Sequence, residues 1–180
     1  EEHEQRCDRA LYRSITGSIM YANIATRPDV CHSVKQLSKY LVDPTERHLK
    51  EAYNVLRYLG KTAAYGITYS RSRYQTLDLN ASHASGHIVA YSDASFAEDV
   101  VTRKSTSGYV FMKSNGAISW AARSQSKVAH SSADSELRAL DECVREARWL
   151  QRLDTEFHPA RETGRPDHKQ PITMYEDNRP

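Results

Sequence analysis

The chain predicts an α/β fold: a mixed four-stranded sheet with strands 1–3 antiparallel, then a long helix and a parallel strand 4, all preceded by a small helical segment. Three observations carry this. The first sixty residues repeat apolar side chains at helical spacing. Between Ile88 and Trp120, three short β-rich runs follow one another through tight polar connections, the pattern of a meander. A long helical pattern from Ser131 to Leu153 then leads to a last strand-like run, Ile172 to Tyr175, and a strand reached through a helix can run parallel to the first.

The helical segment has three parts. From Asp8 to about Ile24, Leu11, Ile15, Ile19 and Ala22 recur on one face. Thr26-Arg27-Pro28-Asp29 breaks the pattern, and Pro28 suits the first turn of a second helix with Val30, Cys31, Val34, Leu37 and Leu41 on its apolar side. Asp43-Pro44-Thr45-Glu46 predicts a third start, with Asp43 as cap and Glu46 completing a capping box. Leu49, Ala52, Tyr53, Leu56 and Leu59 carry that helix to Gly60, a natural stop. Gly66-Ile67-Thr68-Tyr69 reads as a short strand, and the polar stretch 71–86 as the linker to a second domain that begins at 87.

In the second domain, Ile88-Val89-Ala90-Tyr91 is strand 1. Tyr109-Val110-Phe111-Met112 is strand 2, and Ser114-Asn115-Gly116 is a hairpin signal that returns the chain as Ala117-Ile118-Ser119-Trp120. The long helix opens on a Ser131/Asp134 capping pattern, with Ala133, Leu137, Leu140, Val144, Ala147 and Leu150 as its apolar stripe.

Size and composition bound the function. At 180 residues there is room for one sizeable core or two small ones, and 27% charged against 39% hydrophobic residues suits a polar, soluble protein. No run of ~18 apolar residues exists to span a membrane. Net charge is +2, which is too weak to establish nucleic-acid binding and no obstacle to it. Cys7, Cys31 and Cys143 are scattered, with no C-x-x-C, which fits reduced thiols in an intracellular protein. The opening Glu1-Glu2-His3-Glu4 carries neither an initiator Met nor an apolar signal core, and the chain stops at Pro180 just after a strand. The expectation is therefore a fragment that is not secreted.

Three carboxylates occupy distinct local settings. Asp93, in Tyr91-Ser92-Asp93-Ala94-Ser95, lies at or just past the end of strand 1. Glu136 lies at the start of the long helix, and Asp177 follows strand 4. Two strand ends and one helix start, each offering an acid, are what a binuclear magnesium or manganese site needs, because hard divalent ions take carboxylate oxygens. At about 100° per residue, Glu136 lies roughly 60° from the centre of the apolar stripe and Asp134 roughly 100°, so Glu136 is the one expected to meet Asp93 across the sheet surface.

The order strand-Asp, hairpin, helix-Glu, strand-Asp resembles the ribonuclease H fold. The wording is narrower still. Tyr12-Arg13-Ser14, Gly17-Ser18, Thr26-Arg27-Pro28-Asp29, Tyr91-Ser92-Asp93-Ala94, Arg103-Lys104-Ser105-Thr106-Ser107-Gly108-Tyr109, Ser131-Ser132 and Asp177-Asn178 together resemble the Pol polyprotein of copia-type LTR retrotransposons. The resemblance implies that residues 1–70 are a reverse-transcriptase thumb- or connection-like tail and that 87–180 are a C-terminally incomplete ribonuclease H-like domain. It implies two-metal hydrolysis of the RNA strand of an RNA–DNA hybrid, with Asp93, Glu136 and Asp177 as catalytic and metal-binding acids and two Mg²⁺ ions (Mn²⁺ as substitute) as cofactors. Arg103, Lys104, Arg123 and Lys127 would contact phosphates, the hybrid would be known by its 2′-hydroxyls, and the upstream polymerase domain would be the protein partner. The implied location is a cytoplasmic particle or the nucleus. The polymerase's aspartate pair is absent, so no DNA synthesis is expected.

Three rival readings are weighed. His83 and His87 stand four apart, but Ser85-Gly86 lies between them and no thiolate is near, which disfavours zinc. Ser124-Gln125-Ser126-Lys127 spells the S-x-x-K of serine acyl-enzymes without that class's companion motifs. The remaining rival is a catalytically inactive transposon remnant that keeps the fold and weak nucleic-acid binding; metal-dependent turnover separates it from the enzyme.

Overall fold

A computed structural model describes residues 5–70, 88–157 and 171–176 of the chain. It divides into two compact units, Glu1–Ile67 and Thr68–Pro180. The expected linker 71–86 lies outside the described residues, as do His83 and His87.

The first unit is built from α1 (Arg9–Ala25), one 3₁₀ turn (Pro28–Val30), α2 (Cys31–Ser38) and α3 (Glu46–Lys61). Asp8 caps α1, accepting the Ala10 N–H at 2.8 Å and satisfying an amide that the helix cannot. The buried face of α1 is Tyr12, Ile15, Thr16, Ile19 and Asn23, whereas Leu11, expected inside, is exposed. Tyr12 can be wholly buried because its hydroxyl donates to the Leu37 carbonyl at 2.8 Å. The third helix starts later than Asp43. Thr45 is its N-cap, and its own N–H donates to His48 Nδ1 at 3.0 Å. A bridge between Arg6 and Thr45 holds Thr45 extended, and Asp43 is drawn instead into an exposed ion pair with Arg6. The helix also runs through Gly60, because Thr62 closes it by bonding the Tyr58 carbonyl with both its N–H and its hydroxyl. Tyr53 is exposed, and the inward face is Leu49 and Ala52 with Val55, Leu56 and Leu59 packed beside them.

One polar cluster ties this unit together. Arg27 is buried and grips Asp29 through two guanidinium nitrogens, with Nη2 to Oδ2 at 2.7 Å. Its Nη2 also donates to Thr62 Oγ1 at 2.6 Å, and the Tyr58 hydroxyl donates to Asp29 at 2.8 Å. Asp29 is held below the usual carboxylate range chiefly by its hydrogen bond from Arg27, and Arg27 is pushed up by the same bond.

The second unit is a sheet of order β3-β2-β1-β4, with β1 Val89–Ser95, β2 Thr106–Lys113, β3 Gly116–Ser124 and β4 Thr173–Tyr175. β1, β2 and β3 are antiparallel neighbours, and β4 runs parallel to β1. The mixed α/β architecture is thus the expected one. The hairpin turn is Ser114-Asn115, both with positive φ (52° and 65°), and Gly116 already opens β3. The stretch Gly66 to Tyr69 forms no strand. Its groups are met singly, the Tyr69 hydroxyl donating to the Ala117 carbonyl and the Ser70 N–H to that of Ser114, each at 2.8 Å.

Helix α4 (Ser132–Phe157) packs on β1 and β2. Its inward face is Ser135, Glu136, Ala139, Cys143, Ala147 and Leu150, and not the expected row through Ala133, Leu137, Leu140 and Val144; Leu137 is 66% exposed. The reason is size. Ala139, Cys143 and Ala147 form a row of small buried side chains, the last two packed with Ala90, Tyr109 and Phe111, and a leucine row there would need more room. This rotation turns Glu136 from the edge of the buried face into it.

Candidate active site

β1 sets the position of Asp93. Ile88 and Ala90 share a core cluster with Cys143 and Ala147, so the even-numbered residues of β1 face α4. Ser92 and Ala94 continue that buried face, and Asp93 projects from the other one, exposed. Asp93 is within the strand and not at its end, because β2 is long enough to pair Ser95 with Thr106. Its neighbour across the ladder is Gly108, followed by Ala122 on β3, so the row beside the acid carries almost no side chain.

Glu136 enters from the opposite side. It is 8% exposed, and Ser135 beside it is fully buried. The helix start that carries it is capped by Ser131, whose Oγ accepts the Asp134 N–H at 3.1 Å. Asp134 reaches back to the His130 N–H at 2.9 Å and forms a forked pair with Arg138, which lowers its pKa; the Arg138 bond is the larger cause and the His130 N–H the next. Asp134 is therefore committed to the helix start, and Glu136 is the acid turned toward the sheet.

Asp93 and Glu136 stand on elements in direct contact, at the same end of the sheet but on different sides of β1. Strand alternation thus places the two acids on opposite faces of β1, and not on one sheet surface as expected. The parallel pairing of β4 runs from Val89–Thr173 to Tyr91–Tyr175, where the two tyrosine rings stack with centroids 5.3 Å apart. Asp177 lies outside the described residues. Among the described residues, no group of three or more His, Cys, Asp or Glu is gathered tightly enough to hold a metal ion. The two described acids still fit magnesium in kind, since that ion takes one or two carboxylates and completes its shell with water and substrate phosphate.

The four predicted phosphate-contacting residues collect at this same end. Arg103, with φ of 55°, and Lys104 sit on the β1–β2 loop. Asp99 organises that loop by accepting the Val101 and Thr102 N–H groups at 3.1 and 2.8 Å. Arg123 is near the end of β3 and Lys127 follows it, and both are exposed. The pairings Ser95–Thr106 and Thr106–Ser124 fix these segments side by side.

One residue at this end carries no sequence signal. Gln125 is 3% exposed and joins three segments: its N–H donates to the Ser105 carbonyl at 2.8 Å, and its Nε2 donates to Ser107 Oγ at 3.1 Å and to the Ser135 carbonyl at 2.8 Å. A lone Gln in a polar run, Arg123 to Lys127, gives no hint of burial.

The chain is 36% identical over 152 residues to the retrovirus-related Pol polyprotein from transposon TNT 1-94 of Nicotiana tabacum, a match that covers 84% of this chain and 10% of that protein. It is 36% identical over 150 residues to the corresponding polyprotein from transposon RE1 of Arabidopsis thaliana, covering 83% and 9%. The chain belongs to the copia-type retrotransposon Pol family. It spans about a tenth of those curated polyproteins' length. The chain is also 40% identical over 139 residues to the secreted RxLR effector protein 161 of Plasmopara viticola, covering 77% of this chain and 90% of the effector. No family model matches, and no solved structure matches. Among the described residues, no helix is long and apolar enough to cross a membrane.

Proposed function

We propose that this Pol segment is the ribonuclease H portion of its polyprotein and hydrolyses the RNA strand of RNA–DNA hybrids during reverse transcription, inside the cell. The observation that supports this best is the placement of acids in a sheet of order β3-β2-β1-β4. Asp93 is on central β1, Glu136 is in the first turns of the helix packed on it, and Asp177 follows a strand parallel to β1. Asp93, Glu136 and Asp177 would hold two Mg²⁺ ions, with Mn²⁺ as substitute. Bound there, the ions would supply Lewis acidity and lower the pKa of water.

The protein's own part is placement. Asp93 is exposed on a face cleared by Gly108 and Ala122, so a sugar–phosphate strand can approach it. Glu136, buried on the face of α4 that packs on the sheet, would present its carboxylate from that seam. Arg103, Lys104, Arg123 and Lys127 would draw and register phosphates without reading bases. RNA would be told from DNA by its 2′-hydroxyls. Residues 1–70 would be the tail of the upstream polymerase domain, which is the expected protein partner.

The test is cleavage of a labelled RNA–DNA hybrid in Mg²⁺ and in Mn²⁺, with Asp93→Asn alongside. RNA-strand cutting that needs the metal and is lost in the variant is the expected result. A folded protein that cuts nothing, both as these residues and as a longer chain continuing past Pro180, overturns the proposal.

A further inference from the structure

Gln125 does more at the candidate site than fill space. Its amide nitrogen reaches the carbonyl of Ser135, the residue before Glu136, at 2.8 Å, and the hydroxyl of Ser107 on β2 at 3.1 Å. Ser107 pairs with Ala94, the neighbour of Asp93 on β1. The Gln125 backbone N–H donates to the Ser105 carbonyl, and the Ser105 hydroxyl in turn accepts the Ala97 N–H at 3.0 Å, just after β1. The side chain therefore fastens the turn that carries Glu136 to β2, the strand paired with the β1 that carries Asp93. Ser105, Ser107, Gln125 and Ser135 are all buried, so these bonds are shielded from competing water.

The amide is also used one-sidedly. Its Oε1 is buried and accepts no hydrogen bond among the described residues. A side chain kept only for stability gains little from a buried acceptor left unmet, since that costs desolvation with no return. Its donor side, by contrast, is fully used, one bond reaching the residue before Glu136 and the other the strand paired with β1.

We infer that Gln125 is the positioning residue that sets Glu136 relative to Asp93, acting through the Ser135 carbonyl and Ser107. This deepens the ribonuclease H reading and rests on it. Residues that orient metal-binding side chains from behind alter metal affinity or activity by about 10- to 100-fold when replaced.

The experiment uses Gln125→Met, which keeps the length and volume but removes the donor. Mn²⁺ affinity is measured by calorimetry on the whole chain, for wild type, Gln125→Met, Glu136→Gln and the double variant. Amide exchange over residues 136–140 is followed without metal. The expected result is Mn²⁺ binding weakened about 10-fold or more by Gln125→Met, no further weakening when it is added to Glu136→Gln, and faster exchange confined to the start of α4. Ser107→Ala, a milder cut of the same connection, is expected to weaken Mn²⁺ binding in the same direction and serves if the first variant does not fold. Unchanged affinity in a folded variant, or a loss that adds fully to that of Glu136→Gln, overturns the role of Gln125 and leaves the ribonuclease H reading intact. A wild-type chain that binds no Mn²⁺ and cuts no hybrid overturns both.

Discussion

Two short motifs of similar prominence, Thr26-Arg27-Pro28-Asp29 in the helical unit and Tyr91-Ser92-Asp93-Ala94 in the sheet unit, use their charges in opposite ways. In the first, Arg27 and Asp29 spend their hydrogen-bonding capacity on each other, on Tyr58 and on Thr62, closing the end of α1 onto the end of α3. In the second, Asp93 projects from a well-ordered strand into the open, beside a glycine and an alanine. A charge bound up inside its own unit is a fastener, while a charge held rigidly and left exposed is available for chemistry. Sequence prominence alone does not separate the two.

The comparison is broken most severely at Arg27. Replacing it with Ala removes its bonds to Asp29 and Thr62 from a buried position, while Asp29, exposed, is left to water, and should cost about 1–3 kcal/mol of stability in the helical unit. Amide exchange in α1 and α3 should accelerate sharply, while Mn²⁺ binding, measured where the variant is folded, should stay within about twofold. Asp93→Asn is the mirror case. It should lose at least about 10²-fold in hybrid cleavage, a ligand being worth more than the groups behind it, with a melting temperature unchanged or slightly higher. Equal loss of stability in both variants would erase the distinction.

Acid offers a gentler version of the first experiment. Because the folded pKa of Asp29 is depressed, its contribution is fully present above the ordinary value of 3.8 and is lost as pH falls below that through the folded value. The urea midpoint of the helical unit should therefore fall as pH drops below 3.8, and the fall should be smaller in Asp29→Asn. The smallest effect expected is at the hairpin. Asn115→Ala, at a φ of 65°, should cost about 1 kcal/mol, visible as a small fall in the melting temperature of the sheet unit alone.

Much of this was legible because it is local. Asp8 and Ser131 announce helix starts, and Asn115-Gly116 announces the hairpin; Glu136 is turned further inward than Asp134, as the helical angle predicts, although the stripe that angle refers to is not the buried one. What escaped the sequence depends on distant residues. Thr45 displaces Asp43 as cap because Arg6 bridges to it from far along the chain. The buried face of α4 is rotated toward small side chains, with buried Ala139 beside Cys143 and Ala147, which pack against Ala90 and Phe111, in place of the larger Leu137 and Leu140. Gln125 has meaning only once Ser107 and Ser135 are brought to it.

The rotated face has a practical consequence. Cys143 sits at its centre with no exposed surface, and burial pushes its thiol up to about 11, so at neutral pH it is neither accessible nor a thiolate. Cys7 and Cys31, both in the helical unit, are only half-buried. An alkylating reagent will therefore reach Cys143 only when the sheet unit opens, and its modification rate becomes a clock for that event. Mass spectrometry of three peptides, one per thiol, would time the opening of the sheet unit from Cys143, with the half-buried Cys7 and Cys31 as references in the same tube, without dyes.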